Sequence, residues 1–223
     1  MGRLSVVATP IGNLEDITLR AIRVFKEVDY VLCEDTRVTG KLMKHLELSV
    51  KFKRYDAHAS ERTHEEILAD LAEGKHIALV SDAGTPAVSD PGVLLISAAR
   101  AQGVRVDAIP GASAVTTAMS IAGLTGNQFS FLGFAPHKKG RQTFFEDLEL
   151  YDHPVVFFES THRIMKTLEA LSDPDIWVVR LGRELTKMHE EMLIGTPQEL
   201  IDILESEPVR QKGEFVVIVS QNK

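Results

Sequence analysis

The chain has 223 residues, 44% hydrophobic, 26% charged and only 6% aromatic, a composition that excludes a disordered or fibrous polypeptide and fits one large globular domain or two small ones. Its formal charge of −7 argues against a general polyanion binder, although a local basic patch stays compatible with nucleic acid. The single cysteine, Cys33, sits in an apolar run and reads as core packing in a reducing compartment, because a chain of this length buries roughly 70% of its unfolded surface without needing disulfides.

Apolar stretches rich in β-branched residues alternate with helix-period stretches, the pattern of α/β architecture with largely parallel strands. In chain order, strand Leu4–Ala8 precedes a helix over Thr18–Glu27 with Asp16 as its candidate cap. Strand Tyr30–Glu34, helix Thr39–Leu46 and strand Lys51–Tyr55 follow, then a helix from the cap Ser60 to Glu73 and strand Ile77–Ser81. Asp82–Pro91 reads as a loop whose Asp90-Pro91 caps and opens a helix ending before Gly103. Strand Val104–Ile109 and a small-residue helix Ala112–Ala122 complete a first domain, residues 1–124, with a mostly parallel sheet.

Gly123–Asn127 reads as a hinge, and residues 125–223 form a second α/β domain. It holds strand Phe129–Phe134, helix Arg141–Leu150, strand Val155–Phe158 and a helix capped by Ser160 or Thr161. Strands Trp177–Arg180, Glu191–Ile194 and Phe215–Ser220, with one helix opened by Thr196-Pro197, predict a mixed sheet.

No apolar run reaches the length of a membrane span, and Met1–Ser5 lacks the features of a signal peptide, so a cytoplasmic protein is expected. Open α/β sheets bind ligands at the carboxyl ends of their strands. Four irregular junctions lie at such ends: Thr9–Asn13, Glu34–Arg37, Asp82–Pro91 and Pro110–Ala114. Each alone reads as turn chemistry, but four converging at one edge would make a small-molecule site, since glycine lets backbone approach a ligand and helix N-termini offer N–H donors.

Nucleotide fingerprints are missing: there is no G-x-G-x-x-G after the first strand and no G-x-x-x-x-G-K-[ST]. Gly111-Ala112-Ser113-Ala114-Val115 lacks the final glycine of a nucleophile elbow. The eight histidines contain no H-E-x-x-H, so no metal is expected. The Glu34–Arg37 charges could neutralise one another or orient a polar substrate. His58, Glu61 and Arg62 border the same edge or stand in solvent. His137–Arg141, preceded by Phe129, Phe131 and Phe134, could bind RNA phosphates and stack bases, or could be solvated lysines beside core phenylalanines. Arg180, Arg183 and Lys187 form a second, weaker basic group.

Seven segments together resemble the tetrapyrrole methylase superfamily, and within it the enzymes that methylate small-subunit ribosomal RNA. They are VATPIGNLEDIT (7–18), CEDTR (33–37), SDAGTPAVSDPG (81–92), PGASA (110–114), FLGFAPHKKGR (131–141), FFESTHRI (157–164) and RELTKMHEE (183–191). The resemblance implies two α/β domains with S-adenosylmethionine in the cleft between them, a homodimer, and 2′-O-methylation of a cytidine ribose in the decoding region of the rRNA, free or within the small ribosomal subunit. By motif position it implies cofactor contacts from Pro10, Ile11, Asp82, Thr85, Ser113 and Ala114, with Phe158 and Leu185 from the second domain. Glu34, Asp35 and His58 are then candidate proton acceptors, Arg37 an orienting group, and Lys138, Lys139 and Arg141 RNA contacts. The competing readings are a methyltransferase acting on a tetrapyrrole and a non-catalytic RNA-binding or ribosome-assembly module on the same fold.

Overall fold

The computed structural model describes residues 2–57, 59–171 and 176–222. The chain divides into two compact units, Met1–Ser113 and Ala114–Lys223.

The first unit runs β1 (Arg3–Val7), α1 (Leu19–Glu27), β2 (Tyr30–Cys33), α2 (Thr36–His45), β3 (Phe52–Arg54), α3 (Glu61–Ala72), β4 (His76–Leu79), α4 (Val93–Ala101) and β5 (Arg105–Ile109). Its five strands lie in the order β3-β2-β4-β1-β5, all parallel. Alternate strand residues feed two cores, as the period-two geometry of a strand requires. On one face Val7, Val31, Cys33 and Ala78 pack with Val24 and Phe25 of α1 and Leu42 and Met43 of α2. On the other, Leu4, Leu32, Ile77 and Leu79 pack with Ile67 and Leu71 of α3 and Leu95 and Ala99 of α4.

The alternation of elements follows the sequence reading, but three helix starts in this unit do not. Helix α2 begins at Thr36 and not Thr39, because Asp35 caps it by accepting from the Arg37 N–H. Thr18 caps α1 by accepting from the Ala21 N–H at 3.1 Å. Asp16 lies instead in a short 3-10 turn, Leu14–Asp16. Gly92 occupies the N-cap of α4 at φ 125°, so Asp90-Pro91 precede the helix; the Asp90 carboxyl is bound by the Ser81 hydroxyl and serves no cap.

The second unit comprises α5 (Ala114–Ile121), β6 (Ser130–Phe134), α6 (Arg141–Asp147), β7 (Val155–Ser160), α7 (Ile164–Ala170), β8 (Trp177–Arg183), β9 (Glu191–Gly195), α8 (Pro197–Ser206) and β10 (Glu214–Gln221). The strand order is β6-β7-β10-β8-β9, with β6 and β7 parallel and the other pairs antiparallel. The sequence boundary after residue 124 lies beyond α5, whereas the compact division falls before it. Packing explains the difference: the Ala118 Cβ approaches Gly182 of β8 so closely that a Cβ there would stand 3.4 Å away. Arg180 Nε also donates to the Ala122 carbonyl at 2.9 Å. A capping box of Thr196 and Glu199 opens α8 as the Thr-Pro pattern predicts. Helix α7 has Arg163 at its N-cap without a side-chain cap; Ser160 ends β7, and the Thr161 hydroxyl is drawn away to the Gln211 carbonyl.

Candidate functional site

In the first unit the four irregular junctions meet at the carboxyl edge of the sheet. Thr9, after β1, and Gly84, after β4, exchange backbone hydrogen bonds of 2.9 and 3.1 Å. Gly84 has φ +79°, and a Cβ on it would stand 3.2 Å from Ile11 Cγ2 and 3.8 Å from the Ala112 carbonyl oxygen. Glycine is needed there because the three loops touch at that point. Thr85 Oγ1 donates to the Ala112 carbonyl at 3.1 Å, and the Asp35 N–H, after β2, donates to Asp82 Oδ1 at 3.1 Å. Pro10, Ile11, Asp82, Thr85 and Ser113 therefore belong to one cluster of loops. Pro10 and Ile11 are buried, Thr85 and Ser113 half-buried and Asp82 exposed.

Such a surface offers an apolar floor, backbone donors and an exposed carboxylate, the groups that a purine, a ribose diol and an amino-acid ammonium would each require. Ala114 opens α5, Phe158 lies on β7 and Leu185 follows β8, all in the second unit. The Phe158 ring packs edge-to-face against Phe131 and at a tilt against Phe134, at centroid distances of 5.0 and 5.1 Å. Leu185 is buried over Gly182.

The carboxylates at this edge differ sharply. Asp35 is clamped by Arg37, whose Nε and Nη2 donate to it at 3.0 and 2.6 Å while the Arg37 N–H donates at 2.8 Å. These bonds hold its carboxyl down at about 2, so it is an anion and a weak base. Burial pushes Glu34 the other way, aided by the neighbouring carboxylates of Asp90 and Asp82. Asp90 is likewise raised, first by burial. Of Asp35 and Glu34, the latter is therefore the stronger base. Sequence reading placed Asp90 at a helix cap and so missed its part in this group. His58 lies outside the described residues. Arg62 is occupied by Glu66 one helical turn on.

The second unit corrects the basic cluster. Arg141 turns inward: its Nη1 donates to Glu159 Oε2 and to the Pro136 carbonyl, both at 3.0 Å, and Nη2 to Thr167 Oγ1 at 2.7 Å. The Glu159 side chain is fully buried and also accepts from Arg163 Nε at 2.7 Å, from Thr167 Oγ1 at 2.8 Å and from the Ser160 N–H at 2.7 Å. Despite burial, these donors hold its carboxyl below the usual range. Arg141 is thus a structural cation, while Lys138 and Lys139 remain exposed. The signal for this network was an acid set among the apolar residues of β7.

The second basic group is consumed too. Arg180 bonds Ala122 and Ser220, the buried Arg183 bonds Glu191 and the carbonyls of Val209 and Lys212, and Lys187 pairs with Glu184 and Glu214. Glu190 and Glu191 act separately, one on the Thr186 N–H and the other on Arg183.

Residues 3–201 match the model of the Tetrapyrrole (Corrin/Porphyrin) Methylases. The chain belongs to the tetrapyrrole methylase family. Its chemistry is therefore methyl transfer from S-adenosylmethionine. It is 43% identical to the ribosomal RNA small subunit methyltransferase I of Halalkalibacterium halodurans, over 99% of this chain and 76% of that protein. To the protein of the same name from Thermotoga maritima it is 40% identical over 99% of both, and to that of Escherichia coli O157:H7 42% over 100% of this chain and 79% of the relative. Among solved structures it is similar to a diphthine synthase, with a TM-score of 0.75 and 14% identity over 98% of this chain and 90% of that one. A cobalt precorrin-4 methyltransferase gives a TM-score of 0.72 and 18% identity, over 97% and 94%. These two establish the fold alone.

Proposed function

We propose that this tetrapyrrole methylase transfers a methyl group to the ribose 2′ oxygen of a cytidine in the decoding region of small-subunit rRNA. The observation that carries the rRNA substrate is the near-full-length likeness, at 40–43% identity, to proteins named for that activity. The cytidine, its 2′ oxygen and the decoding region rest on the motif resemblance. S-adenosylmethionine supplies an electrophilic methyl on a sulfonium, so the protein's tasks are alignment, exclusion of water and removal of one proton.

Pro10 and Ile11 wall the adenine, and Asp82, Thr85, Ser113 and Ala114 bind the polar atoms of the donor, with Phe158 and Leu185 as apolar partners. Glu34 takes the hydroxyl proton, while Arg37, held by Asp35, orients the substrate. Lys138 and Lys139 bind rRNA phosphates. A homodimer in the cytoplasm is part of the same proposal, checked by light scattering of the purified protein.

The test is transfer of labelled methyl to small ribosomal subunits from a strain without this activity, followed by alkaline hydrolysis of the product. One cytidine whose 3′ linkage resists alkali is expected. Transfer to a base, or to a precorrin and not to rRNA, overturns the assignment. Absence of any calorimetric heat with S-adenosylmethionine would leave only a non-catalytic module.

A further inference from the structure

We infer that the outer face of α1 and α2 is a docking surface for the phosphate backbone of small-subunit rRNA, separate from Lys138 and Lys139. The inference rests on the rRNA reading above and adds a surface that the motifs do not mark.

Helix α1 presents Arg20, Arg23 and Lys26 to solvent, and α2 presents Arg37, Lys41 and Lys44, followed by His45. The spacings i, i+3, i+6 and i, i+4, i+7 put each set in one stripe. Both helices pack on the same side of the sheet through one apolar cluster, so the stripes share a face. Glu27 is the single acid on either helix. Among the described residues, no ion pair engages Arg20, Arg23, Lys26, Lys41 or Lys44. In a chain of net charge −7 this is a marked separation of charge. The opposite face carries the reverse sign: α3 bears Glu61, Glu65, Glu66 and Asp70 against Arg62.

Location gives the stripe its use. Helix α2 starts at Asp35, the residue whose N–H binds Asp82, so Arg37, Lys41 and Lys44 lead away from the candidate site over about 10 Å, at 1.5 Å per residue. A polyanion lying along them would reach the strand edge. An anionic bilayer fits less well, because interfacial helices bury an apolar face in lipid and the apolar faces of α1 and α2 are already in the core. Phosphate binding by lysine and arginine releases counterions and makes affinity steeply salt-dependent.

The experiment compares the intact protein with Lys41→Glu/Lys44→Glu and, separately, Arg20→Glu/Arg23→Glu. The control, Arg62→Glu/Arg100→Glu, makes the same charge change on α3 and α4. Filter binding of a small-subunit rRNA fragment is measured across salt concentrations, alongside calorimetry with S-adenosylmethionine and thermal melts. Each test variant is expected to bind rRNA about tenfold or more weakly at low salt, with a log–log salt slope shallower by roughly 0.7–0.9 for each phosphate that is no longer neutralised. Cofactor affinity and melting temperature should match the control, and Lys41→Arg/Lys44→Arg should restore binding. Unchanged rRNA affinity and slope in both test variants overturn the surface, as does a loss confined to anionic phosphatidylserine vesicles. Because binding is read without turnover, an inactive but rRNA-binding wild type would sink the methyl-transfer assignment and leave the surface standing.

Discussion

Three carboxylates within one cluster of loops, Asp35, Glu34 and Asp90, have been driven to different protonation behaviour by burial and by their neighbours. Asp35 spends its charge on Arg37, whereas Glu34 and Asp90 are pushed up by burial and by facing Asp82. A carboxyl raised in the folded state contributes stability below its unfolded value and loses it as pH rises through the folded one. Glu34→Gln should therefore melt about 2 °C higher than wild type at pH 7, after allowance for solvent screening, and show no gain near pH 4. Scanning calorimetry at both pH values reads this, and the same variant should lose methyl transfer if Glu34 takes the proton. Asp82→Ala should weaken S-adenosylmethionine binding by about 10–100-fold, the value of a hydrogen bond to a charged group, as read by calorimetry. Glu159 lies at the other extreme. Its buried carboxylate pairs with Arg141 and Arg163 at once, and Glu159→Ala should cost about 3–5 kcal/mol in urea unfolding because both cations lose that anion.

Among the elements, the segment joining β4 to α4 carries backbone strain at successive positions. Gly84, Ala87, Ser89 and Gly92 all adopt positive φ, a conformation that non-glycine residues occupy only when their surroundings enforce it. The enforcement is visible at both ends: Gly84 is pinned to Thr9, and a Cβ on Gly92 would stand 2.6 Å from Leu79 Cδ2. Gly92→Ala should cost about 1–3 kcal/mol and lower the melting temperature by several degrees. A smaller effect in calorimetry would mean that Leu79 and the turn relax. The sequence placed this loop correctly as the irregular one, yet misjudged its exit. Asp-Pro is a strong local signal for a helix start, but the burial of Asp90 beside Ser81 decides otherwise, and burial is a tertiary quantity. The same holds for Asp16, whose capping role passes to Thr18 once the 3-10 turn forms.

Across the molecule, charge is sorted rather than mixed. Asp70, Asp107, Glu159 and Glu184 are held below the ordinary carboxylate range by lysine, arginine and backbone donors. Groups lowered in this way stabilise above their unfolded values, and that contribution fades as pH falls through the folded ones. The protein should thus hold a level melting temperature near neutrality and lose stability below pH about 4. Half-molar salt should blunt the contribution of the exposed pairs and spare that of Glu159. A melt that improves on acidification would contradict this balance.

The alternation of apolar strands with amphipathic helices was enough to determine the α/β class, the parallel first sheet and the mixed second one, because side-chain period is a local property. Motif spelling likewise carried the family and the methyl-transfer chemistry. Only the tertiary structure decided which charges are free. Arg141, Arg180 and Arg183 have the same residue type as Arg20 and Arg23, and they differ solely in whether a distant carbonyl or carboxylate folds back onto them. Partnership across tens of residues, and the burial that goes with it, has no signature in local sequence.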